Sequence, residues 1–216
     1  MNFPKQPHPL LRVNLGCGHS PTPGWVNFDS SPSVWLARIL QAPILLSWAS
    51  GWLLTRYQLA FVECIRNYAI AYGDGIKGLP LASGSCRVVY ASHVLEHLAA
   101  PQVHVFLKEV FRILAPSGIL RLAVPDLQIY IDAYQSSSDA DQLIHGLNFF
   151  PPDQQGRLRR WLSSLSGNRT LYQWVYNDVS LGRTLVGSGF VNPIKLEPGE
   201  TTIPDSGLLN LCERAW

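Results

Sequence analysis

The segment Leu11-Arg12-Val13-Asn14-Leu15 runs without a break into Gly16-Cys17-Gly18, and this junction constrains the fold more than any other stretch. A short apolar run that ends in a tight glycine turn reads as a buried strand. Three further runs repeat the arrangement: residues 25–28 before Asp29, 69–72 before Gly73-Asp74-Gly75, and 87–91 before Ser92-His93. Residues 119–124 read as a fifth strand, and 190–196 and 208–214 complete an expected set of seven. Near-continuous apolar strands alternating with helical stretches predict an α/β chain, with a mostly parallel sheet covered by helices on both faces.

The helices follow from period. Over 101–114, Val103, Phe106, Leu107, Val110, Phe111 and Leu114 share one face, and Pro116 and Gly118 stop the run. Asp126 is placed to cap a helix carrying Leu127, Tyr130, Ile131 and Tyr134, with a loop over 136–138. A further helix is expected over 179–186, ended by Gly187-Ser188-Gly189. A net charge of +2 with scattered Lys and Arg argues against a nucleic-acid partner. Cys17, Cys64, Cys86 and Cys212 form no C-x-x-C pair and read as reduced thiols, and the first ten residues do not read as a secretory signal, so a cytoplasmic protein is expected.

In open α/β sheets, ligands bind beyond the carboxyl ends of the strands. Gly16 to Gly18, Asp29, Asp74 and Ser92-His93 all sit at such ends. Glycines let the backbone approach a ligand closely, and an acid after the second strand can accept from both ribose hydroxyls. An acid after the third can accept from an adenine amino group. Together these describe an adenosine site. A dinucleotide fingerprint would need a third glycine where Pro21 stands, and Asp29 follows Gly18 by 11 positions, not the about 20 usual there. With no pyrophosphate cradle and no P-loop, the cofactor that fits is S-adenosylmethionine.

The segments 13–18, 23–29, 73–81, 88–98 and 107–118, with Val124-Pro125-Asp126-Leu127, resemble class I S-adenosylmethionine-dependent methyltransferases. More narrowly, they are similar to the methyltransferase type 11 group, in a branch whose first helix is cut to a loop. The resemblance implies a single Rossmann-like methyltransferase domain over 1–216. It implies that Gly16 and Gly18 pass the methionine part of the cofactor, that Asp29 holds the ribose, and that Asp74 lies near the adenine. Ala91, Ser92 and His93 would line the methyl-donor pocket, with Leu15, Cys17, Ser30 and Gly75 as neighbouring cofactor contacts.

His93, Glu96 and His97 admit several readings. His93 could take a proton from an acceptor hydroxyl. Glu96 and His97 could instead make structural hydrogen bonds at a helix start. No metal is expected, because His93 and Ala100 stand where a related cation-binding pattern has acids.

From Ile39 to Thr55 there are 17 residues without a charge. The insertion 33–67 reads as an apolar helical cap by the active site, with extra core or a peripheral membrane contact as alternatives. Residues 139–176 read as a substrate-side insertion. The function expected is methyl transfer to a small-molecule, glycan or lipid-like acceptor. The competing readings are a non-catalytic cofactor-binding protein and a membrane-associated protein on the same scaffold.

Overall fold

The computed structural model describes residues 9–32, 34, 60, 63–65, 67–147, 171–197 and 199–204. Most of the insertion 33–67, the middle of 139–176 and the expected strand 208–214 therefore lie outside the described residues.

Among the described residues, five parallel strands form one sheet in the order β3-β2-β1-β4-β5. They are β1 (Leu11–Leu15), β2 (Val26–Asp29), β3 (Ala71–Tyr72), β4 (Cys86–Ser92) and β5 (Leu114–Ala123). The chain winds outward from β1 to β3, then returns to place β4 against the other side of β1. This reversal of direction is the topological switch point of a Rossmann-like fold, and it opens a crevice between the carboxyl ends of β1 and β4. Leu15 pairs with Ala91, so Gly16 and Ser92 emerge side by side at that crevice.

The core sits where the periodicity places it. Val13, Leu15, Val89 and Ala91 pack with Val103, Phe106, Leu107 and Val110 of helix α1 (Ala100–Ile113). Val88 and Tyr90 instead join Ile203, with Trp25 and Ile119 beside them. β4 is thus buried on both faces, as a central parallel strand must be.

The β1–β2 connection is unusual. Parallel neighbours ordinarily need a crossover of about a dozen residues or more, often a helix; here residues 16–25 make only turns and bends. A buried polar network replaces the missing helix. Asn14 pairs in register with Asn27, and its Nδ2 donates to Asn27 Oδ1 (3.3 Å), Thr22 Oγ1 (3.2 Å) and Ser20 O (3.2 Å). Asn27 in turn accepts from Thr22 N (2.8 Å) and donates to Thr22 O (3.0 Å), so the loop hangs from two strand side chains.

Helix α2 (Leu127–Ser137) starts at Asp126, whose carboxylate accepts from Gln128 N at 3.0 Å. It extends through Ser136 and Ser137, which the sequence assigned to a loop; only Ser138 turns left-handed, at φ 54°. Helix α3 (Ala140–Gly146) follows. Helix α4 (Asp178–Gly187) begins with a reciprocal cap between Asn177 and Ser180.

Two expectations about strands need correction. β5 begins at Leu114, not at 119, because Leu114 already pairs with Cys86. The ladder then bulges through Pro116, Ser117 (φ 62°) and Gly118 before resuming at Ile119 opposite Val88. Residues 190–196 form no strand: Pro193 lacks a donor, Phe190 packs edge-on against Phe111 of α1, and Lys195 is held at 2.7 Å by Asp126. Among the described residues no helix is long and apolar enough to cross a membrane.

Candidate functional site

The crevice is built first by backbone. Gly16 and Gly18 have φ of 65° and 49°, a region that side chains with a Cβ seldom adopt. A Cβ on Gly16 would also lie 2.6 Å from Val94 Cγ2. Cys17 between them is fully buried with Val34, Ile65 and Ile70, and its N–H donates to Phe28 O at 3.1 Å. Cys17 and the core residue Leu15 can therefore offer a ligand only their backbone, while their side chains hold the turn in place.

Asp29, at the end of β2, organises the opposite wall. Its Oδ2 accepts from Gly18 N (2.9 Å) and its Oδ1 from Ser31 N (2.7 Å). Each carboxylate oxygen keeps acceptor capacity beyond these bonds, enough for a pair of ribose hydroxyls. Its carbonyl accepts from Gly73 N at 3.2 Å, which ties the loop after β3 to the same point. Ser30 is exposed beside it.

Asp74 is part of a compact turn. Its Oδ1 accepts from Ile76 N (2.9 Å), and Lys77 Nζ stands 3.4 Å from its Oδ2. Gly75 has a packing role that the sequence did not suggest: a Cβ there would meet Phe106 Cδ2 at 2.5 Å. The turn is clamped onto α1 by Glu109, which accepts from Leu79 N (2.6 Å) and pairs with Arg112 through both oxygens at 2.7 Å. Arg112 donates onward to Leu79 O and Leu81 O. The Arg112 guanidinium and the Leu79 amide hold the Glu109 carboxyl below the usual carboxylate range, with burial working against them.

The β4 end supplies side chains. Ala91 and Ser92 are buried, and Ser92 Oγ has no hydrogen-bond partner among the described residues. His93 has a left-handed backbone (φ 53°), a conformation of the kind that costs about 1–3 kcal/mol and clusters at functional sites. Its Nδ1 lies 2.8 Å from Glu96 Oε1, and the Glu96 side chain is completely buried.

Sequence reasoning did not include Glu96 among the site residues, and it missed the tyrosines around it. Glu96 and His97 belong to a short 3-10 turn (Leu95–His97) on which the segment 171–176 lands. Gln173 N and Trp174 N donate to Glu96 O, His97 Nδ1 bonds Leu171 O at 3.0 Å, and Tyr176 O accepts from Leu127 N. The His97 and Tyr172 rings lie 5.6 Å apart. Burial, with Tyr130 and the Glu96 charge, pushes the Tyr172 hydroxyl up to about 12; burial and Glu96 also raise Tyr176. The only available signal was the aromatic density of residues 172–176, whose partner no local pattern identifies.

Residues 57–122 match the family model described as "Methyltransferase domain". That stretch, less than a third of the chain, is similar to a methyltransferase domain. The match runs from before β3 through most of β5, so it includes Asp74 and His93, while Gly16, Gly18 and Asp29 precede it. No curated protein matches the sequence. Among solved structures, the Mesorhizobium loti S-adenosylmethionine-dependent methyltransferase is 19% identical, with 84% of this chain and 74% of that one covered and a TM-score of 0.41. The Haemonchus contortus phosphoethanolamine N-methyltransferase 2, complexed with phosphomonomethylethanolamine and S-adenosylhomocysteine, is 12% identical over 88% of this chain and 35% of that one, at 0.43. The trans-methyltransferase CalH, in complex with SAH, is 20% identical over 84% and 44%, at 0.41. This chain spans less than two thirds of the length of the last two. The Rossmann-like fold itself rests on the sheet order of this chain.

The crevice at the carboxyl ends of β1 and β4 has features that suit an adenosine cofactor. Gly16 leaves space that a Cβ would fill, Asp29 presents a nearly buried acceptor, and Ser92 Oγ is an orphaned polar atom at the strand end.

Proposed function

We propose that this protein binds S-adenosylmethionine at the carboxyl ends of β2, β1 and β4 and transfers its methyl group to a small-molecule, glycan or lipid-like acceptor. The observation that carries this reading is Asp29, which is bonded to the Gly18 amide of the β1 turn and retains acceptor capacity for a ribose. The bound cofactor would supply an electrophilic sulfonium methyl, and the protein's part is to bind, orient and exclude water. Gly16 and Gly18 would admit the methionine portion, Asp29 with Ser30 the ribose, and the Asp74-Gly75 turn the adenine. Ala91, Ser92 and His93 would border the methyl group.

The insertion 33–67 would bound the acceptor side. Its described ends support this: Val34 and Ile65 pack on Cys17, inside the glycine turn itself. The return of residues 171–176 onto the Glu96 turn supports a substrate-side role for the 139–176 region.

The test is incubation with methyl-labelled S-adenosylmethionine and fractionated cell extract. Label recovered in a small-molecule, glycan or lipid fraction is the expected outcome. Tight cofactor binding with no transfer to any fraction would favour a binding protein on a methyltransferase scaffold.

A further inference from the structure

Glu96 is the most demanding side chain among the described residues. It is completely buried, and neither carboxylate oxygen accepts an aligned hydrogen bond among the described residues. A buried carboxylate in that state is costly unless a cationic or proton-donating group faces it. His93 Nδ1, at 2.8 Å, stands where that group must be, though it is not aligned as a formed hydrogen bond.

Three observations converge on His93. It follows β4 at the crevice, beside the orphaned Ser92 hydroxyl. Its backbone is held left-handed, locked in part by the bond from its N–H to Ala123 O at 3.0 Å. Its side chain keeps about a third of its surface exposed (31%) while Glu96 has none, so the pair runs from the interior to the crevice. A contact between Glu96 and Nδ1 puts the other ring nitrogen, Nε2, on the far side of the ring.

We infer that Glu96 is a positioning residue that keeps the proton of neutral His93 on Nδ1, that His93 Nε2 is the proton acceptor of the reaction, and that the methyl acceptor is therefore a hydroxyl or an amine. This rests on the methyltransferase reading above. An alcohol, phenol or protonated amine must lose a proton when methylated, whereas a carboxylate or thiolate need not. In the transfer, the acceptor oxygen or nitrogen bonds to the methyl carbon. The carbon–sulfur bond breaks with its electron pair left on sulfur, and the acceptor's proton passes to His93 Nε2 and then to water. Among the described residues, the titratable groups facing Glu96 are His93 from the β4 end and Tyr172 and Tyr176 from the returning segment, with Tyr130 of α2 bonded to Tyr172. Burial, with the Glu96 charge, makes both Tyr172 and Tyr176 hold their protons more tightly than usual.

The test is nitrogen NMR of the imidazoles in the ligand-free protein at a pH where they are neutral, with His93 identified by its loss in His93→Gln. The expected wild-type spectrum shows His93 protonated at Nδ1 and bare at Nε2, and Glu96→Leu abolishes that preference. An Nε2–H tautomer in the wild type overturns the inference, and that spectrum decides even if the variant fails to fold. Retention of the Nδ1–H tautomer in a folded Glu96→Leu overturns the role of Glu96. Calorimetry of the same samples with S-adenosylhomocysteine reports separately on the cofactor reading. Where labelled product forms, its methyl group should resist mild alkaline hydrolysis; an alkali-labile methyl ester contradicts the acceptor class.

Discussion

The Gly18 amide donates to Asp29 Oδ2 at 2.9 Å, and this bond joins the glycine turn after β1 to the acid after β2. Asp29, the proposed ribose acceptor, therefore also has a structural duty. Asp29→Ala removes the acceptor for two backbone N–H groups and, on the proposed reading, for a ribose. It should weaken S-adenosylhomocysteine binding by about 1–3 kcal/mol. Asp29→Asn keeps one oxygen acceptor and should fall between Ala and wild type. Equal affinities for all three, measured by calorimetry on folded protein, would remove Asp29 from the cofactor site.

Gly16 is constrained twice, by its φ of 65° and by Val94 Cγ2, which lies 2.6 Å from the position a Cβ would take. Gly16→Ala should lower stability by about 1–3 kcal/mol in urea melts, through backbone strain and the clash. Adding Val94→Ala should relieve the clash but not the strain, so rescue should be partial. Full rescue would mean that the backbone conformation costs nothing.

Much of this fold was readable because its strands are apolar and its turns are marked by glycine and acids. Asp126 caps α2 as its position suggested, and the face of Val103, Phe106, Leu107 and Val110 covers the sheet. The absence of a helix between β1 and β2 was legible as a resemblance, but its physical basis was not. That basis is a side-chain network joining Asn14, Thr22 and Asn27, which no periodicity reveals. Residues 190–196 looked like a strand by composition, and tertiary contacts to Phe111 and Asp126 overrode it. Gly75 was read as a cofactor contact from its place after Asp74; its close packing on Phe106, about thirty positions away, left no local signal. Glu96 was read as a helix-start residue because burial at a strand end depends on the distant segment 171–176.

The Glu109–Arg112 clamp predicts a pH dependence. Arg112 holds the Glu109 carboxyl below its unfolded value, so the group contributes stability above the unfolded carboxylate range. That contribution is lost as pH falls through the lower, folded value. Arg112→Ala should cost about 1–2 kcal/mol near neutrality, allowing for the solvent exposure of the pair. It should also flatten the acid limb of stability against pH in urea melts between neutral pH and about 3. An unchanged acid limb would show that the clamp adds nothing to folding.

Chelation should leave cofactor binding and methyl transfer unchanged. Among the described residues no group of three His, Cys, Asp or Glu side chains could hold a metal ion, and Glu96 is engaged by His93. Activity lost in EDTA and restored by a divalent cation would contradict this.

On the proposed reading, the crevice between β1 and β4 takes an adenosine cofactor without a pyrophosphate. Calorimetric titration of the protein with S-adenosylmethionine, S-adenosylhomocysteine, NAD and ATP tests it most directly. Saturable binding of the two sulfur compounds is expected, weakened by Asp29→Ala, with NAD and ATP binding at least tenfold more weakly. Preferential binding of NAD or ATP, or no binding of either sulfur compound to the folded protein, would contradict it.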